Sequence, residues 1–164
     1  MILFPLVLAV LLHEIGHITV ARLCGVPLVS LGWKGIGLSM QFDFSRVGYL
    51  KEALVHSGGA VFGVASAVVA VLLGDRFHTF AGISLILAAV NLYPLPVTDG
   101  GAIVRTVLSA FFLPDTAERL TKAVFTLSLL ALWAAVLWCE LRVVPNLGLL
   151  LFVCILTVYS LCTG

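Results

Sequence analysis

"LAVLLHEIGHITVARL", residues 8–23, sets two histidines and a glutamate inside an otherwise apolar run. The run extends from about Ile2 to Leu23, enough for a helix to cross a bilayer, and Gly25 and Pro27 close it. Ionisable groups at membrane depth each cost several kcal/mol unless partnered. His13, Glu14 and His17 are three such groups within one short stretch. A spacing of four puts both imidazoles on one helical face, one turn apart, where both can reach a single ion. Glu14 lies beside that face, close enough to a water there to take its proton without being a ligand. One metal would satisfy all three groups. Lone histidines in apolar helices are ordinarily hydrogen-bonded packers, and His56 and His78 read that way.

Two histidines do not complete a catalytic zinc site, which has three protein ligands and keeps one position for water. A candidate third ligand lies in "NLYPLPVTDGG", residues 91–101. Pro94 and Pro96 forbid helix around themselves. Irregular backbone at membrane depth is tolerated only where protein buries it or where it lines a watered cavity. Asp99 follows that break, and Gly100 and Gly101 permit close backbone approach. A carboxylate there would complete a His2Asp set. The alternatives are that Asp99 only caps the next helix, or that His56 is the third ligand.

The rest of the chain says where this happens. Hydrophobic residues make up 62% and charged residues 10%, with a mean hydropathy of +1.20. A soluble domain carries roughly 25% charged residues, so the chain is predicted to be an integral membrane protein with no separate soluble domain. A net charge of +1 and the lack of a basic stretch give no reason to expect nucleic acid. With no Lys or Arg before Arg22, the first run reads as a span and not as a signal peptide. Further apolar runs cover about Ala53–Leu73, Phe77–Leu92, Ala117–Cys139 and Leu147–Leu161. The predicted fold is an all-α polytopic membrane protein of about five transmembrane helices. A membrane-associated β-hairpin follows the first, and a short helix opens after the Gly-rich turn. The hairpin is read from residues 26–49, where Val29, Leu31 and Trp33, then Ile36, Leu38, Met40, Phe42 and Phe44, alternate with small or polar residues. Cys24, Cys139, Cys154 and Cys162 have no metal-finger spacing and read as small packers.

Five spans put Arg22, Lys34, Arg46, Lys51, Arg105, Arg119 and Lys122 on one side and leave Arg76 and Arg142 on the other. Basic residues favour the cytoplasm. The expected arrangement is a multi-pass cell-membrane protein with its N-terminus outside, its C-terminus cytoplasmic, and the His13–His17 pair near the cytoplasmic side.

H-E-x-x-H in one span and N-x-x-P-x-P-x-x-D-G in a later one resemble the site-2 protease family of intramembrane zinc metalloproteases, over about Leu6–Phe111. The resemblance implies one zinc per chain on His13, His17 and Asp99, with Glu14 as the catalytic base. Asn91 would hold the substrate or a developing oxyanion. It further implies a metalloendopeptidase that cuts transmembrane protein substrates in the lipid bilayer, in regulated intramembrane proteolysis, with room for a membrane-protein regulator. Residues 1–112 would form the catalytic core and 113–164 two additional helices. The compact, sporulation-type bacterial branch is the nearest likeness, since no PDZ or CBS domain and no earlier span is evident. The chain departs from the family in two places. Thr98 replaces the usual Leu of L-D-G, a change read as one of packing. In "SGGAVF", Gly59 and Phe62 stand where the family often has Pro and Asn, so no function is assigned to Ser57–Phe62. Readings of other classes are a divalent metal transporter and an inactive membrane scaffold. The odd span count, the missing repeat and the non-ligand Glu14 speak against transport.

Overall fold

The computed structural model describes residues 2–34, 37–142 and 145–163, with the side chains of 33–39 and 163 outside the description. The chain forms two compact units, 1–92 and 93–164. The first contains α1 (Leu3–Cys24), β1 (Leu28–Lys34), β2 (Gly37–Phe42), α2 (Tyr49–Leu72), a short 3-10 turn and α3 (His78–Leu92). The second contains α4 (Asp99–Phe111), α5 (Pro114–Arg142) and α6 (Leu147–Thr163). All five apolar runs are helices, the hairpin follows the first, and α4 is the expected short helix. α1, α2 and α5 are long and apolar enough to cross a membrane. With 15 residues, α3 rises only about 22 Å at 1.5 Å per residue.

Helix ends differ from the apolar runs where charge begins. α2 starts a turn early, at Tyr49, because its first turn carries Lys51 and Glu52. Lys51 Nζ donates to the Cys24 carbonyl at 3.1 Å, which places a cation at the negative end of α1. Gly25 ends α1 in the left-handed conformation (φ 72°). The Val26 N–H then returns to the Ala21 carbonyl at 2.8 Å, and Val26 buries against Ala21 and Val55.

β1 and β2 pair antiparallel from Leu28↔Phe42 to Lys34↔Gly37, with an irregularity at Val29. Gly35 and Ile36, part of the expected alternation, lie outside the described residues. Phe42, Phe44 and Val47 pack on the Val26–Val55 cluster, and the Phe44 ring lies 5.4 Å from that of His56. At the hairpin's foot, the Ser45 hydroxyl and its backbone N–H (2.9 Å) hold the Asp43 carboxyl below its usual range.

Where the helices of the first unit cross, the residues in contact are small. The backbones of α1 and α2 meet at Gly16 and Gly58: a Cβ on Gly58 would lie 2.7 Å from the Gly16 carbonyl oxygen, and one on Gly16 would overlap Gly58 and Phe62. Ala67, Ala70 and Ala81 continue the seam toward α3. Large apolar side chains point outward, Leu23 at 82% exposure and Leu72 at 81%. Lipid gives helices no hydrophobic reason to associate, so close backbone approach through small residues takes that role.

In the second unit, Phe125 packs against Gly101 on α4, and the Arg105 guanidinium lies 6.0 Å from the Phe125 ring. Trp133 Nε1 donates to Thr157 Oγ1 at 3.0 Å, joining α5 to α6. Among the described residues no disulfide forms. Cys24, Cys139 and Cys154 are half-buried and Cys162 is exposed.

The glycine seam makes a sharp contrast testable. Gly58→Val should destabilise the chain by about 1–3 kcal/mol or more through overpacking, read as a lower unfolding midpoint in detergent. Gly82→Ala in α3, where a Cβ meets open space, should be neutral or stabilising by up to about 1 kcal/mol.

Candidate metal centre

His13 and His17 lie on the buried face of α1, at 4% and 6% exposure. Their Nε2 atoms are 3.2 Å apart. His17 Nδ1 lies 2.8 Å from the Val55 carbonyl oxygen on α2. A carbonyl can only accept, so Nδ1 carries the proton and Nε2 of neutral His17 keeps its lone pair. This is the arrangement by which a second group fixes the tautomer of a metal-binding histidine.

The two nitrogens lie in room that a side chain at position 59 of α2 would otherwise need. A Cβ built on Gly59 would overlap both Nε2 atoms. Any residue other than glycine would therefore push its side chain into the pair. A tetrahedral zinc with nitrogens at about 2.0–2.1 Å holds them roughly 3.3 Å apart, close to the 3.2 Å found here. Two imidazole nitrogens at that separation, facing a glycine, fit a metal of zinc's preferences.

Glu14, the next residue on α1, is half-buried. Asn91, near the end of α3, donates its Nδ2 to the Leu87 carbonyl at 3.0 Å, so that part of its amide is turned onto its own helix. His56 is half-buried against Phe44. His78 is no buried packer: it starts α3 on the surface, 3.7 Å from Asp75. In the second unit Asp99 is the first residue of α4, and Thr98 is the N-cap, its hydroxyl accepting from the Gly101 N–H at 3.3 Å. The N-cap is thus the residue before Asp99.

Sequence reading missed three contributors, Val55, Gly58 and Gly59. The paired glycines in "SGGAVF" were the available signal, since glycine in a helix costs about 1 kcal/mol relative to alanine and calls for a packing reason. The Val55 carbonyl had no signal at all, because every residue has one.

The family model of Peptidase family M50 matches residues 45–135, more than half of the chain. The match includes Asn91 and Asp99 and begins after His13–His17. Among solved structures, the Site-2 Protease from Methanocaldococcus jannaschii is similar in fold, with a TM-score of 0.70 and 22% identity over 99% of this chain and 77% of that one. No curated protein matches. A family match over this length, in a chain whose first helix presents a histidine pair that fits a metal, leads to one assignment: the chain belongs to Peptidase family M50.

Proposed function

We propose that the chain is an intramembrane zinc metalloendopeptidase that hydrolyses peptide bonds in transmembrane substrates. The observation that carries this reading is the convergence of the His13 and His17 Nε2 atoms on Gly59. His13, His17 and Asp99 would hold one zinc, a donor set of two imidazoles and one carboxylate. Asp99 suits that role as the first residue of α4, where the positive end of a helix favours a carboxylate. When bound, zinc supplies Lewis-acid activation of water and of the scissile carbonyl.

The remaining steps belong to the chain's own groups. Val55 holds His17 in the tautomer whose Nε2 can ligate. Glu14 takes a proton from the attacking water and later delivers it to the leaving nitrogen, so one carboxylate serves both directions. Asn91 steadies the substrate or the oxyanion if its amide swings away from Leu87.

A substrate helix hides its peptide carbonyls in its own hydrogen bonds, so it has to unwind before it can be cut. Among the described residues the β1–β2 ribbon has two strands, and a ribbon of that kind can take an unwound segment as a further strand. Its foot rests on Val55, the residue whose carbonyl fixes His17, so a strand added to β2 would be held near the histidine pair. The receiving segment is Gly35–Phe44, of which Gly35 and Ile36 lie outside the described residues.

On this reading residues 1–112 form the catalytic core, with the two helices of 113–164 added to it. The N-terminus faces outward, the C-terminus and the active site lie on the cytoplasmic side, and the activity serves regulated intramembrane proteolysis under a membrane-protein regulator.

The primary test is metal content by mass spectrometry beside cleavage of a transmembrane reporter. Wild type should carry about one zinc per chain. His17→Ala and Asp99→Asn should lose it, and Glu14→Gln should keep it while cleavage falls about 10²- to 10⁴-fold. Zinc that is indifferent to Asp99→Asn, or cleavage that survives Glu14→Gln, would refute the assignment. Gly59→Ala should lower zinc content without removing any ligand; a fully loaded Gly59→Ala protein would show that the open space has no part in metal binding. For the hairpin, proline placed at successive positions from Gly37 to Phe42 should impair cleavage in one alternating phase only. A flat profile would remove the strand-addition step.

A further inference from the structure

We propose that Thr98 is a positioning residue for Asp99, acting through a single hydroxyl that ties the 93–98 turn to the first turn of α4. The proposal rests on the reading of Asp99 as a metal ligand. A hydroxyl offers one donor and two acceptor positions, and Thr98 Oγ1 has a partner for each. It donates to the Tyr93 carbonyl, with the Leu95 carbonyl at 3.1 Å as a second acceptor for the same proton. It accepts from the Leu95 N–H at 3.2 Å, a proton that N–H shares with the Tyr93 carbonyl at 2.9 Å, and from the Gly101 N–H at 3.3 Å. One atom therefore joins the start of the turn, its middle and the helix that follows.

The surroundings leave the turn little freedom. The Thr98 N–H closes back on the Leu95 carbonyl at 3.2 Å. That carbonyl passes so near Gly101 that a Cβ there would overlap it, and Phe125 lies 3.3 Å from the same point. Leu95 is 1% exposed, and the Tyr93 hydroxyl donates to the Ser128 carbonyl on α5 at 2.6 Å. Asp99 is thus held from both sides, by Thr98 before it and by Gly101 after it. The substitution of Thr for the family's usual Leu is more than a change of packing, because no aliphatic side chain can make any of the three bonds. Thr98→Val would keep the shape, deprive the Gly101 N–H of its acceptor and leave the Tyr93 carbonyl without this hydroxyl.

The test is zinc affinity, measured by competition with a chromophoric chelator on the purified full chain in detergent, beside the unfolding midpoint of the metal-free chain. Thr98→Val should weaken zinc binding about 10- to 100-fold, the usual effect of losing a group that orients a ligand. Thr98→Ser, which retains the hydroxyl, should stay within about threefold of wild type. In the Asp99→Asn background, Thr98→Val should add nothing, since the group it orients is gone. Thr98→Asn, which can cap the helix but cannot gather three partners on one atom, should fold and still bind more weakly than Thr98→Ser. Wild-type affinity in Thr98→Val or Thr98→Asn, alongside weak binding in Asp99→Asn, would overturn the proposal and leave the ligand reading standing. So would a lowered unfolding midpoint with unchanged affinity in the folded protein. Wild-type affinity in Asp99→Asn would overturn both.

Discussion

The histidine pair of the first unit depends on the backbones of α1 and α2 touching. Gly16 and Gly58 meet with no side chain between them, and the site's parts are arrayed one turn or less to either side. His13 and His17 flank Gly16 on one helix; Val55 and Gly59 flank Gly58 on the other. The 2.8 Å bond from His17 to the Val55 carbonyl exists only at this separation. An added methyl group at the crossing would move the axes apart, and the bond, the tautomer and the space before Gly59 would be lost together. A helix pair in lipid has packing and hydrogen bonds to hold it and little else, so here the packing contact and the chemical site are one feature.

Much of this could be read from the chain because membranes simplify the code. A helix is the only unclosed structure that satisfies its own backbone in hydrocarbon, so each apolar run had one folded form open to it. The hairpin was legible because alternation of period two in Leu38–Phe44 cannot line one face of a helix. The histidine pair was legible because a spacing of four is itself a distance. What stayed hidden was whatever depends on one helix meeting another. Gly58 and Gly59 look like two weak helix formers until α1 is laid against them. The start of α2 was missed by a turn because Lys51 and Glu52 interrupt the apolar run while serving the fold, Lys51 by capping α1.

Thr98 illustrates the same limit at a single residue. Compared with a family pattern it is a small departure, a polar residue where an aliphatic one is common. Only the path of the turn reveals that its hydroxyl meets backbone groups of three residues, Tyr93, Leu95 and Gly101, where two prolines make regular structure impossible. A chain that breaks its helix has polar groups to satisfy, and here one hydroxyl shares that task with two backbone bonds, Leu95 to Tyr93 and Thr98 to Leu95. The carboxylate at the start of α4 and the bonds that fix the turn before it therefore come from different residues, Asp99 and Thr98.

The shortness of α3 has a consequence for the bilayer. The hydrocarbon layer is about 30 Å thick, and a helix of 15 residues falls roughly 8 Å short of that. Lipids meet such a mismatch by thinning, which draws head groups and their hydration inward around the short element. At the Leu92 end of α3 the chain leaves helical form and runs through Tyr93–Thr98 to Asp99. A hydrolytic enzyme in a membrane needs its second reactant delivered to a place lipid would keep dry. An undersized helix that thins the lipid around it would shorten the path that water has to travel.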